Sequence, residues 1–165
     1  MPAQYQACLV RRGVDFTGQD RVAALMLPVL KRESEMAKVI GVGGVFFQSP
    51  DPAALMAWYK DKLGLEINDY GGADFLHADS GKAFPQGART IFSAFKTGTD
   101  YFKPSDKPFM INLMIDDMDS MLARLKEKEV PLEGEPQDFD YGRFAWVMDP
   151  DGTKIELWQP IEPAG

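Results

Sequence analysis

The sequence predicts an α+β protein in which one unit, a strand and a helix followed by three strands, occurs twice along the chain. Two apolar strand patterns are each followed by a helix with a capping aspartate, and the chain closes on a clear hairpin signal, "YGRFAWVMDPDGTKIELW" (141–158). With 165 residues and 45% hydrophobic side chains, the chain can bury one substantial core and is short for two full-size domains.

The first unit, residues 39–96, opens on "KVIGVGGVFFQ", whose β-branched and aromatic residues predict a strand over 38–48. Turn residues rich in Gly and Pro separate three shorter candidates later in the unit. These predicted strands are "LEIND" (65–69), "DFLHA" (74–78) and "RTIFSAF" (89–95).

The helix of the first unit is predicted in "PAALMAWYKDKLG" (52–64). Asp51 is a candidate N-cap, Pro52 suits the first helical position, and Gly64 predicts the end. Helical spacing places an apolar face on one side, formed by Leu55, Trp58, Tyr59 and Leu63.

The second unit, residues 108–160, repeats this order from "FMINLMIDD" (109–117) onward. Asp117 can cap a helix whose apolar positions recur at helical spacing, namely Met118, Met121, Leu122 and Leu125. In the final hairpin, "DPDG" (149–152) is a turn signal, because proline presets φ and glycine supplies a positive φ.

These units carry a resemblance, in "FFQSPDPAALMAWYKDKLGL" (46–65), "INLMIDDMDSMLARL" (111–125) and above all "GRFAWVMDPDGTKIELWQP" (142–160). Residues 39–160 resemble the vicinal oxygen chelate superfamily, which includes glyoxalase I, the bleomycin and fosfomycin resistance proteins and the extradiol dioxygenases. The resemblance implies a single domain in which both units form a cupped mixed sheet, with helices on the convex face and the ligand on the concave face.

Strand alternation in the second unit agrees with that division of faces. The aliphatic positions suited to pack under a helix are Ile111, Leu113, Ile115, Ile155 and Leu157. The alternate positions, which we expect to face the cavity, are Met110, Asn112, Met114, Lys154, Glu156 and Trp158.

Metal-using members of the superfamily take ligands from the first and last strands of each unit, usually His and Glu. Of the four positions this implies, only Glu156 matches. Gly44 and Met110 stand where the histidines are expected, and the strand over 89–96 contains no acid. Because divalent metals need several N, S or O ligands, the sequence disfavours a divalent metal and predicts no other cofactor.

Two residues are candidates for proton transfer, Glu156 and the single histidine, His77. Glu156 can act as a base or accept a hydrogen bond from a ligand, and the alternative is a structural pair with Lys154 on the same face. His77 can be an acid or base near neutral pH, and the alternative is a half-exposed, inert side chain.

A second set of side chains is expected to bind the ligand, because binding sites are mostly apolar with a few polar groups. Its members are Phe46, Tyr101, Asn112, Arg143, Phe144, Trp146 and Trp158. Core packing explains the aromatic members equally well. The segment between the units, "FKTGTDYFKPSDKP" (95–108), is either a lid over this site or a plain linker.

Three functions therefore stay open at the level of sequence. The first is a glyoxalase/bleomycin-resistance-like protein that binds a small organic molecule in the cup without the usual metal. The second is a metal-dependent lyase or isomerase like glyoxalase I (lactoylglutathione lyase). The third is a metal-free enzyme that uses Glu156, with His77, for acid and base chemistry.

Composition limits the kinds of binding partner and the cellular location that we expect for the protein. Twenty-five acidic against 18 basic residues give a formal charge of -7, which argues against nucleic acid, because binding to phosphates depends on Lys and Arg. The apolar run at 22–30 is too short to span a membrane. A single cysteine, Cys8, rules out an intrachain disulfide and fits the reducing cytoplasm. By resemblance we expect a homodimer.

Residues 1–38 lie outside the resemblance and form an amino-terminal extension. Its apolar run is predicted to be a short helix or a docked segment. A second interpretation is that the natural chain starts at Met36, because the repeated pattern begins directly after it.

Overall fold

The structure is a computed structural model and describes residues 38–161. The predicted helix at 22–30, Cys8 and Met36 lie outside the described residues. The chain divides into two compact units, Met1–Gly41 and Val42–Gly165, and every helix and strand of residues 38–161 belongs to the second. None of these helices combines the length and apolar character needed to cross a membrane.

Four strands form one mixed sheet: β1 (Ile111–Met114), β2 (Gln137–Phe139), β3 (Gly142–Met148) and β4 (Lys154–Pro160). Their order is β1-β4-β3-β2, with β1 parallel to β4 and the other neighbours antiparallel. The predicted second unit thus supplies the whole sheet of residues 38–161, and the α+β class is confirmed.

Three helices accompany the sheet: α1 (Pro52–Trp58), which continues into a π-helical turn (Tyr59–Leu63), α2 (His77–Ala83) and α3 (Met118–Glu127). Helix α1 starts where the sequence predicts, because the Asp51 side chain accepts a hydrogen bond from the Ala54 N–H at 3.1 Å. Gly64 follows the π turn with φ of 78°, in the left-handed region that glycine adopts without strain. Asp117 caps α3 in the same way.

The core lies between α1, α3 and one face of the sheet. The helices contribute Leu55, Tyr59, Leu63, Met118 and Leu125, and the sheet contributes Ala145, Val147, Ile155 and Leu157. The inward helical positions and the alternation of β4 are therefore as predicted. Burial of this apolar surface is the main stabilising contribution, at about 25 cal/mol per Å² removed from water.

The strands predicted in the first unit are wrong for this structure. Residues 38–48, 65–69 and 89–95 contain no strand, and the segment 74–78 runs into helix α2 at His77. A strand depends on a paired neighbour and a buried face rather than on intrinsic preference alone. These segments have no paired neighbour within residues 38–161, and many of their large apolar side chains are exposed, including Val45, Phe46, Ile91 and Phe92.

The predicted hairpin forms with the turn that "DPDG" indicates, and helix α1 holds it in place. Asp149 accepts hydrogen bonds from the backbone N–H groups of Asp151 and Thr153, at 3.0 and 2.7 Å. Its other carboxylate oxygen accepts the hydroxyl of Tyr59 at 2.9 Å in a buried contact. Tyr59 and Asp149 thereby join the end of α1 to the tip of the β3–β4 hairpin.

We expect Tyr59→Phe to lower the free energy of unfolding by about 2 kcal/mol, since it removes a buried hydrogen bond to a charged group. Urea denaturation at pH 7 measures the difference. Tyr70→Phe is the matched control, because Tyr70 is exposed, and it should change stability little. Equal losses in the two variants would contradict a structural role for the Tyr59 hydroxyl.

The stability contributed by the Tyr59 hydroxyl should also depend on pH. Burial, reinforced by the adjacent Asp149, raises the pKa of Tyr59 well above that of an ordinary tyrosine. The unfolded chain therefore releases this proton first, so the contribution is complete below about pH 10 and is lost as the pH rises further. The stability difference between wild type and Tyr59→Phe should shrink above that pH.

Candidate functional site

The centre of the sheet carries a row of three polar side chains on the face opposite the core. Strand register pairs Glu156 of β4 with Asn112 of β1 on one side and with Trp146 of β3 on the other. The Asn112 amide donates to Glu156 Oε1 at 2.7 Å, and the Trp146 indole N–H donates to Oε2 at 2.8 Å. Glu156 is only 7% exposed, so these bonds replace the water that a carboxylate needs.

A third donor reaches Glu156 from outside the sheet. The hydroxyl of Tyr101, in the connecting segment (residues 95–108), donates to Oε2 at 2.5 Å, a short distance typical of a hydroxyl bound to a carboxylate. Burial first, and then the bond to Glu156, raise the pKa of Tyr101 above the ordinary tyrosine value. The phenol therefore stays protonated and keeps its role as donor.

Lys154 lies on the same face but does not pair with Glu156, which forms no ion pair within residues 38–161. The Lys154 ammonium donates to the backbone carbonyl of Tyr101 at 2.7 Å. It lies 5.4 Å from the centre of the Tyr101 ring and 5.7 Å from the centre of the Trp146 ring. Burial lowers the pKa of Lys154, and the charge of Glu156 opposes that shift.

Aromatic rings extend the site along the hairpin. The ring of Phe144 lies 6.3 Å from the rings of Trp146 and Trp158, with interplanar angles of 16° and 13°. The Arg89 guanidinium carbon is 5.7 Å from the centre of the Trp158 ring. A side chain at Gly142 would meet the Trp158 indole nitrogen at 2.2 Å, so glycine is required where this ring packs.

Of the predicted site residues, the structure brings Glu156, Tyr101, Asn112 and Trp146 together, with Trp158 at the end of the aromatic row. Arg143 lies on the opposite face, in the alternation of Ala145 and Val147, and its guanidinium contacts Asp138 and Asp119 at 3.0 Å each. Those two carboxylates raise the pKa of Arg143 further.

Phe46 and His77 are both exposed side chains. Phe46 is 79% exposed in a segment without a strand. His77 is the exposed first residue of α2, and no hydrogen bond or ion pair in the described part of the chain links it to Glu156. The predicted roles of these residues in binding or catalysis stay predictions.

The residues present do not fit the metal that the fold implies. Within residues 38–161 no group of three or more His, Cys, Asp or Glu side chains is placed to hold an ion. Glu156 is surrounded by the N–H and O–H donors of Asn112, Trp146 and Tyr101, whereas a cation needs lone pairs at those positions. The carboxylate is therefore built to accept hydrogen bonds.

Two cavities lie away from this row. One of about 370 Å³ lies between residues 63–84, the end of β1 and helix α3, with an apolar lining and an acidic rim. A smaller one of about 210 Å³ lies beside the hairpin turn and the end of the connecting segment. Glu156 lines neither of these two cavities.

The chain belongs to the glyoxalase/bleomycin resistance protein/dioxygenase superfamily, whose family model matches residues 41–157. That range contains the Glu156 row and most of both predicted units. The resemblance carried by the three quoted segments is thereby confirmed. None of the curated proteins compared with this chain matches it.

Solved structures of the same superfamily are similar to this chain. A glyoxylase/bleomycin resistance protein/dioxygenase domain from Frankia sp. EAN1pec shares 17% identity, with coverage of 77% of this chain and 96% of that one and a TM-score of 0.48. TnmS3, an antibiotic binding protein from Streptomyces sp. CB03234, shares 23% identity over 65% of this chain and 84% of that one, with a TM-score of 0.38.

Other matches are shorter. A glyoxalase/bleomycin resistance protein from Streptomyces sp. CB03234 shares 43% identity, but over 30% of this chain and 42% of that one, with a TM-score of 0.28. The match to a conserved domain protein likewise spans 47% of that structure. The family assignment therefore depends on the family model.

We expect Glu156→Gln to cost about 1–2 kcal/mol, because Gln keeps one acceptor oxygen and the Asn112 amide can turn to receive its NH₂ group. Glu156→Leu should cost more, since it leaves the buried donors of Trp146 and Asn112 without an acceptor. Chemical denaturation of both variants against wild type measures these costs.

Lys154→Met is the control for this series, because it removes a charge on the same face that forms no ion pair with Glu156. It should change stability by about 1 kcal/mol or less. A loss as large as that of Glu156→Leu would show that the two residues act as a pair.

Proposed function

We propose that the protein binds a small organic molecule on the Glu156 face of the sheet, without the divalent metal used by many members of its superfamily. The main observation in support of the proposal is the set of hydrogen-bond donors around Glu156. A buried carboxylate accepts three hydrogen bonds from neutral groups, Asn112, Trp146 and Tyr101, and it forms no ion pair with any residue of 38–161. Such a carboxylate attracts a ligand that brings a hydrogen-bond donor.

The surroundings of Glu156 support the same function. The stacked rings of Phe144, Trp146 and Trp158 offer apolar area beside a polar anchor. Binding sites for small molecules combine these two features, since apolar area supplies affinity and a few polar groups fix orientation. The negative charge of the chain disfavours nucleic acid as the occupant.

The two enzymatic alternatives receive no such support in residues 38–161. A metal-dependent lyase needs ligands that the positions around Glu156 do not supply. An acid and base pair needs Glu156 and His77 near one substrate, and no hydrogen bond or ion pair within residues 38–161 joins them. We therefore place binding ahead of catalysis.

A thermal-shift screen against divalent metals and a metabolite library tests the proposal, because a ligand of the folded state raises the melting temperature. We expect an organic compound to raise it and metals to leave it unchanged, with elemental analysis giving well under one metal per chain. Glu156→Gln should weaken binding of that compound, and Glu135→Gln, at an exposed acid, should not. Near one metal per chain, lost in Glu156→Gln, would overturn the proposal.

We further propose a homodimer located in the cytoplasm. Large apolar side chains are exposed at Val45, Phe46, Ile91 and Phe92, and packing them against a second copy of the chain would remove this apolar surface from water. Sedimentation velocity should give a dimer for wild type and a monomer for the double variant Phe46→Ser/Phe92→Ser. A monomeric wild type would contradict the proposal.

A further inference from the structure

Of the three side chains that donate hydrogen bonds to Glu156, two belong to strands and one belongs to the connecting segment. Asn112 and Trp146 belong to β1 and β3, where the strand register fixes them beside the carboxylate. Tyr101 belongs to the connecting segment, which forms turns and has no strand pairing, and it is 41% exposed. Tyr101 is therefore the donor that can leave Glu156 without breaking the sheet.

Both the hydroxyl and the aromatic ring of Tyr101 make contacts that hold the side chain in place. The hydroxyl donates to Glu156 Oε2 at 2.5 Å. The ring stacks on Phe95 at 5.4 Å between centroids with an angle of 11°, and the Lys154 ammonium lies 5.4 Å from its centre. An acceptor for a hydroxyl, a stacking partner and a cation near the ring together recognise an aromatic hydroxyl compound.

We propose that Tyr101 fills a phenol subsite, and that the ligand carries an aromatic hydroxyl which replaces the Tyr101 hydroxyl on Glu156 Oε2. The inference rests on the proposed binding function and adds the chemical class of the ligand. A phenol suits this position because Glu156 Oε2 already accepts a phenolic hydroxyl, that of Tyr101, together with the Trp146 indole N–H.

The anchoring of the connecting segment indicates how the exchange takes place. Ser105 is buried, and its hydroxyl donates to the Gly152 carbonyl at 2.6 Å, which holds the segment to the hairpin turn. Tyr101 contacts the sheet through its hydroxyl bond to Glu156 and through the bond from Lys154 to its carbonyl. Its contacts with Thr99, Phe95 and Phe102 lie within the connecting segment itself. Residues before Ser105 can therefore turn outward while Ser105 stays in place. The phenol ring of Tyr101 competes with the ligand for this position. The affinity of the wild-type protein therefore equals the affinity of the vacant subsite multiplied by the fraction of chains in which Tyr101 is displaced.

Tyr101→Ala vacates the subsite in the full chain, and phenol and toluene are the matched probes, since they differ by a hydroxyl in place of a methyl group. Calorimetric titration should show that the variant binds phenol at least about tenfold more tightly than toluene, because only phenol donates to the buried carboxylate. Tyr101→Phe is the control: its ring still fills the subsite but lacks the hydroxyl bond to Glu156, so it should bind phenol more weakly than Tyr101→Ala does.

Equal affinity for phenol and toluene in Tyr101→Ala would overturn the assignment of an aromatic hydroxyl, while the proposed function would stand. Phenol binding as tight in Tyr101→Phe as in Tyr101→Ala would overturn the role of Tyr101 as the occupant. If Tyr101→Ala does not fold, wild type decides by nuclear magnetic resonance. Millimolar phenol, and not toluene, should then shift the Trp146 indole N–H signal, and an equal or absent shift would overturn the inference. The metal and metabolite screen tests the proposed function separately.

Discussion

The carboxylate of Glu156 is buried in the middle of a sheet, and this requires hydrogen-bond donors on both sides of it. β1 supplies one from Asn112 and β3 supplies the other from Trp146, each from the position directly opposite. A slip of one residue in either strand would turn that donor to the other face of the sheet and leave the carboxylate short of a partner. The charge and the strand register therefore depend on each other.

The opposite face depends on a second buried carboxylate with a different purpose. Asp149 closes the hairpin turn through backbone N–H groups and accepts the hydroxyl of Tyr59 from the end of α1. That contact fixes the helix against the hairpin, while the apolar core between them supplies most of the stabilisation. The apolar core thus lies on the helix side of the sheet, and the opposite side carries the polar groups of the proposed binding site.

The parts of the structure that local signals determine are predictable from the sequence. Asp51 caps α1, "DPDG" makes the turn, and the alternation of Ile155 and Leu157 turns Glu156 away from the core. The same alternation, applied to β3, places Arg143 with Ala145 and Val147, so its position on the helix side was available in the sequence.

Contacts between distant residues and strands that need partners were not predictable. Tyr101 and Glu156 are 55 residues apart, and no local pattern brings a loop tyrosine onto a particular carboxylate. The Tyr59–Asp149 bond, across 90 residues, was missed for the same reason. In the first unit, β-branched and aromatic segments such as 89–95 indicated strands, yet strand preference is expressed only where a neighbour and a buried face exist.

Lys154 shows why the Glu156 site favours a hydrogen-bond donor over a cation. A lysine two residues from a buried glutamate, on the same face, is the obvious ion-pair partner. Its ammonium instead binds the Tyr101 carbonyl and approaches two aromatic rings, so it holds the segment that covers Glu156. The donors to the carboxylate within residues 38–161 are neutral, and a hydrogen bond to a carboxylate is about twice as strong as one between neutral groups. In the proposed exchange, a ligand hydroxyl that reaches Oε2 gains the interaction that Tyr101 gives up, and Lys154 releases the Tyr101 carbonyl as the segment moves away.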